Sequence, residues 1–167
     1  MNKIGRSRLL VAAVLAAGLL AGCASVQPDA LAPGASAEQI RAHMGTPSAT
    51  HTLPGGAKRL EFQASGARTF MLDVDASGTL LRVQQVRDEA SFRSIGAGMT
   101  HEQVRATLGQ PDDISHVGRQ RDEVWSWNFR NIECQWFQLG FGSDGRTLGG
   151  GAMALTPPCL RGGGGGF

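Results

Sequence analysis

The chain has 167 residues, 41% of them hydrophobic and 18% charged, and its 16 basic and 14 acidic residues give a formal net charge of +2. That length accommodates one or two small domains with cores of their own. Three of the basic residues, Lys3, Arg6 and Arg8, precede Cys23, so from Cys23 onward 13 basic residues face 14 acidic ones; no basic stripe with interleaved aromatics remains to mark a nucleic-acid binder.

The first element in chain order is that basic stretch, followed by an apolar run over residues 9–20 that ends in Leu20-Ala21-Gly22-Cys23. A transmembrane helix needs about 20 apolar residues, and this run is shorter. It reads as an export signal over residues 1–22. The string LAGC resembles a bacterial lipobox, which implies lipidation of Cys23 through its sulfur and a new N-terminus there. Each buried methylene of an acyl chain contributes about 0.8 kcal/mol, and more than one chain gives stable anchoring, so the expected protein is tethered and not spanning. By the same resemblance Ala24, which is not Asp, implies the outer membrane, with the protein facing the periplasm. Residues 23–32, small and polar with one proline, read as a lipidated tether.

Two stretches then read almost alike: SAEQIRAHMGTP at residues 36–47 and THEQVRATLGQP at residues 100–111, starting 64 residues apart. Ser36 with Gln39, and Thr100 with Gln103, have the spacing of capping boxes. Ile40 and Met44, like Val104 and Leu108, stand four apart on one helical face. Gly45 and Gly109 suit helix stops, with Pro47 and Pro111 two residues on. Each copy predicts a short helix, too brief to persist without a covering surface.

The segments after each helix are expected to supply that cover. Leu60 and Phe62, then Phe70, Leu72 and Val74, then Leu81 and Val83 alternate with period two, as half-buried strands do. After the second helix come Trp125, Trp127 and Phe129, then Phe137, Leu139 and Phe141, then a weaker Gly-rich segment over residues 146–153. Turn signals match as well, Ala76-Ser77-Gly78 in one copy and Ser143-Asp144-Gly145 in the other. The expected fold is therefore α+β: two tandem repeats, residues 33–88 and 89–155, each a short helix on a three-stranded antiparallel meander. Residues 156–167, ending in RGGGGGF, are expected to form a Gly-rich flexible tail.

The pattern Gly98-Met99-Thr100, Glu102-Gln103-Val104, Leu108-Gly109 and Pro111, followed by a Trp-x-Trp strand and a later Asp144-Gly145, resembles the small lipoprotein domain of the BamE (SmpA/OmlA) family. The second copy matches better than the first, which has Ala35 in place of the Met and Leu60 and Phe62 in place of the tryptophans. A BamE carries one such domain, whereas this chain carries two copies of the pattern. The resemblance implies a non-enzymatic accessory of outer-membrane β-barrel assembly, with envelope proteins as partners and the membrane met through the anchor at Cys23. Tandem repeats of this make-up are also similar to secreted β-lactamase inhibitor proteins, which implies the alternative of a periplasmic enzyme binder or inhibitor.

Residues with chemical potential are read against that background. Cys134 and Cys159 are a disulfide candidate in an oxidising compartment. Closing that 25-residue loop would add roughly 3 to 4 kcal/mol, and two unpaired thiols are the alternative. Gly140-Phe141-Gly142-Ser143-Asp144-Gly145 matches G-x-G-x-x-G, but no helix is expected after it to receive phosphates, so it reads as a turn. His101-Glu102 opens like H-E-x-x-H, yet the fifth position is Arg105, so the second zinc ligand is missing. His43, His51 and His116 share no ligand spacing. Asp112-Asp113 and Asp122-Glu123 read as solvated loop carboxylates. No catalytic, metal or cofactor residues, no cofactor and no small-molecule substrate are expected.

Overall fold

The computed structural model describes residues 26–64, 68–119, 122–129 and 135–155. Cys23, Cys134 and Cys159 lie outside the described residues, as do the export signal and the tail. The lipidation and disulfide expectations therefore meet no geometry in the fold.

Both repeated helices form with the same local chemistry. In α1 (Ala37–Met44) the Ser36 hydroxyl accepts from the Gln39 amide at 3.3 Å and the Gln39 side chain accepts from the Ser36 amide at 2.8 Å. A second helix, α2 (Glu89–Arg93), starts at Asp88, whose carboxylate accepts from the Ser91 amide. In α3 (His101–Leu108) Thr100 and Gln103 repeat the reciprocal pair at 3.3 and 2.8 Å. These bonds satisfy amides that a helix start leaves without partners. Gly45 and Gly109 end their helices at φ 76° and 81°, a backbone region that only glycine adopts without cost.

The expected α+β pair of helix-plus-three-strand repeats is corrected by the sheets. The described chain is mostly β: two four-stranded antiparallel sheets, ordered β1-β2-β3-β4 and β5-β6-β7-β8, with only short helices. The first comprises β1 (Ala49–Thr52), β2 (Lys58–Ala64), β3 (Arg68–Val74) and β4 (Leu80–Val86). The second comprises β5 (Asp113–Val117), β6 (Asp122–Phe129), β7 (Gln135–Phe141) and β8 (Ala152–Leu155). The strands absent from the sequence reading are β1 and β5. Both are edge strands and largely exposed, so neither carries the apolar alternation that marks a half-buried strand. The Gly-rich third segment of the second unit narrows to β8.

Each sheet has one face in a core. Ile40 and Met44 of α1 pack with Phe62, Phe70, Leu72, Val74 and Leu80, and Val26 and Leu31 join from the chain before α1. Val104 and Leu108 of α3, with Phe92 of α2 and Ile95, pack on Trp125, Trp127, Phe137, Leu139 and Phe141. Leu108 is fully buried, a burial that contributes about 1.5 to 3 kcal/mol.

The opposite face of the first sheet is buried too, a second departure from the half-buried expectation. Thr69, Met71 and Asp73 alternate with Phe70, Leu72 and Val74 in β3, and all six are buried. The cause is the second repeat: the C-terminal end of α3 lands on this face. Arg59 donates to the Ala106 carbonyl at 2.8 Å, and Arg87 donates to those of Leu108 at 3.3 Å and Gln110 at 2.7 Å. The last carbonyls of a helix lack partners and form the negative end of its dipole, so arginines suit them. Glu61, fully buried, accepts from the Gln110 amide at 3.1 Å and lies 3.3 Å from His51. Arg87 adopts φ 66°, the only positive φ outside glycine among the described residues; its bonds to two carbonyls and to both Asp112 oxygens hold a conformation that costs about 1 to 3 kcal/mol.

Candidate functional site

The strand registers put the two sheets in correspondence. Ala49 lies opposite Glu61, and Asp113, 64 residues later, lies opposite Ser126. In the same way Arg59 opposite Asp73 corresponds to Val124 opposite Gly140. Met71 corresponds to Gln138, and Thr69 to Trp136.

The face that seats α3 in the first sheet thus has an equivalent in the second, with different chemistry. The first carries a charged network. Asp73 receives Arg59 at 2.6 and 2.9 Å and Arg82 at 2.8 and 3.2 Å. Burial works to raise the Asp73 pKa, but hydrogen bonds and charge from Arg59 and Arg82 outweigh it and hold the carboxyl below its ordinary 3.8. In the second sheet the equivalents of Arg59, Glu61 and Asp73 are Val124, Ser126 and Gly140. Gln138 donates to the Ser126 hydroxyl at 3.1 Å. Val124 and Trp136 are half-buried. Leu148, 65% exposed, approaches Gly140 closely enough that a Cβ there would sit 3.4 Å from it, and Val117 is 50% exposed. An apolar, uncharged sheet face of this kind is suited to protein contact.

A cavity of about 560 Å³ opens between α2 and β8, lined by Phe92, Phe129, Phe137 and Met153 with Glu89 and Arg93 at its rim. Phe92 stacks on Phe137 at 4.3 Å and meets Phe129 edge-on at 5.4 Å. Its neighbour β8 is an edge strand with Met153 and Leu155 exposed.

The residues weighed in the sequence take varied places in the fold. The segment 140–145 is a turn, with the Gly142 amide donating to the Arg146 carbonyl and Asp144 accepting from the Arg146 amide; a short antiparallel return, not a helix, comes after it. Asp112 is tied into the repeat junction and also accepts from the Asn128 amide at 2.7 Å. Glu123 lies in β6, where it accepts from the Trp125 indole and faces His101, so the solvated-loop reading of these carboxylates is corrected. His51 is buried against Glu61, His116 is exposed on β5, and His43 lies in α1. No described helix is long and apolar enough to cross a membrane, and among the described residues no three His, Cys, Asp or Glu side chains already stand together as a metal cluster. The sequence reading missed the outer face of the second sheet, because its signal is a comparison of registers and not a motif. No protein-family model matches the chain, no curated protein matches it, and no solved structure matches it.

Proposed function

We propose that the chain is a BamE-like lipoprotein, anchored through Cys23 in the outer membrane and facing the periplasm, which binds envelope proteins and catalyses nothing itself. In this reading it serves as a scaffold or accessory in outer-membrane protein assembly. The observation that carries the binding role is the unequal pair of sheet faces: the charged face of the first sheet seats the second repeat, while its equivalent in the second sheet is neutral and partly exposed at Val117, Val124 and Leu148. An interface centre is depleted in charge and enriched in aromatic residues, and Trp136 sits on this face. The location rests on the LAGC resemblance and Ala24.

Affinity purification of the tagged full chain from membranes tests the reading. Co-purification of β-barrel assembly components supports the assembly role. Recovery of one soluble periplasmic enzyme as the sole partner would replace it with the enzyme-binder alternative. A Cys23→Ser chain that still fractionates with membranes through acyl chains would refute the anchor.

A further inference from the structure

A polar cleft of about 290 Å³ lies at the other end of the second sheet, lined by His101, His116, Asp122, Glu123 and Ser143 against Phe141. The His101 ring is held between aromatic groups, stacked on Phe141 at 4.1 Å and tilted against Trp125 at 4.7 Å. Its Nε2 is buried and has no aligned hydrogen-bond partner among the described residues, although Glu123 Oε2 lies 3.3 Å away. The other Glu123 oxygen accepts from the Trp125 indole, which fixes the direction in which Oε2 points. A neutral imidazole nitrogen and a carboxylate oxygen thus present lone pairs toward one another without a well-placed proton between them.

That separation has a chemical meaning. Two donors bound to one tetrahedral ion at about 2.0 to 2.1 Å stand roughly 3.3 Å apart. His116 is directly opposite Glu123 in the β5–β6 pairing, where facing Cβ atoms are about 4.5 to 5.5 Å apart, and its exposed side chain is free of core packing. We propose that His101, Glu123 and His116 form a site for a zinc-like first-row divalent ion, with His116 turning inward as the third ligand and water completing the set. Two imidazoles and one carboxylate favour such an ion over magnesium or calcium, which take oxygen ligands. The Trp125 indole is the supporting group that orients the carboxylate, a role such outer partners commonly have. Bound metal would pin the edge strand β5 to the start of α3. This site is independent of the proposed partner-binding face.

Zinc binding to the full chain, measured by competition with a chromogenic chelator, is expected to weaken at least about tenfold in His101→Ala, Glu123→Gln and His116→Ala, and to be unchanged in His43→Ala. His116→Ala alters an exposed edge residue, so its loss of binding with an unchanged circular dichroism spectrum separates ligation from folding. Copper(II), a paramagnetic probe, is expected to quench the fluorescence of Trp125 in the parent and not in His101→Ala. Absence of zinc binding by the parent chain, or binding that survives all three substitutions, overturns the site.

Discussion

Gly109→Ala is the substitution that reads the repeat junction most sharply. Gly109 ends α3 at φ 81° and ψ −175°, a region essentially reserved for glycine, and forcing another residue there costs about 1 to 3 kcal/mol. The added Cβ would also sit 2.9 Å from Glu61 Oε1 and 3.1 Å from both Glu61 Cδ and Thr69 Cγ2. Glu61 cannot swing away cheaply, since it is fully buried and bonded to the Gln110 amide. Overpacking of this kind adds about 1 to 3 kcal/mol, for a total near 2 to 6 kcal/mol. Gly98 has the same φ of 81° with nothing within 4 Å of its would-be Cβ, so Gly98→Ala isolates most of the backbone cost. Urea unfolding of both variants, followed by tryptophan fluorescence and circular dichroism, measures the difference. Equal destabilisation at Gly98 and Gly109 would mean that α3 does not press on the first sheet.

Leu108→Ala empties a fully buried site and is expected to cost about 2 to 5 kcal/mol, against at most about 1 kcal/mol for the exposed first-turn Glu102→Ala; denaturant midpoints decide it. The lowered pKa of Asp73 means that its contribution to stability is complete above an unfolded value near 3.8 and is lost as pH falls through the still lower folded value. Asp73→Asn is therefore expected to lower stability at pH 7 and to flatten the loss of stability between about pH 4 and pH 2, and an unchanged acid profile would count against the Arg59–Asp73–Arg82 network. Labelling free thiols in the exported chain, unfolded without reductant, is expected to find Cys134 and Cys159 unreactive, and two labelled thiols would exclude the disulfide.

What was legible in the chain was local. A capping box spans four residues and a helical stripe five, so Ser36, Gln39, Ile40 and Met44 announce α1 by themselves, and the second copy announces α3. The cores were legible too, because Phe62, Phe70, Trp125 and Phe137 keep the strand period. The edge strands were not, because an edge with one buried residue, as at His51 in β1, leaves no periodic trace. The burial of Thr69, Met71 and Asp73 was hidden for another reason: the helix end that covers them arrives from more than 35 residues further along the chain. His101 illustrates the same limit at a candidate site. Its neighbours in sequence argued against a metal motif, whereas the carboxylate it faces belongs to β6, 22 residues away.

The central claim, that the outer face of the second sheet receives an envelope protein, is tested most directly by comparing membrane affinity purifications of the parent chain, Val124→Arg with Leu148→Arg, and Leu81→Arg. Leu81 is equally a surface apolar residue, 51% exposed, but lies on β4 of the first sheet. The paired Val124 and Leu148 substitutions are expected to abolish recovery of the barrel-assembly components while Leu81→Arg leaves it intact. Full recovery with the paired variant, at unchanged stability and membrane anchoring, would contradict the claim.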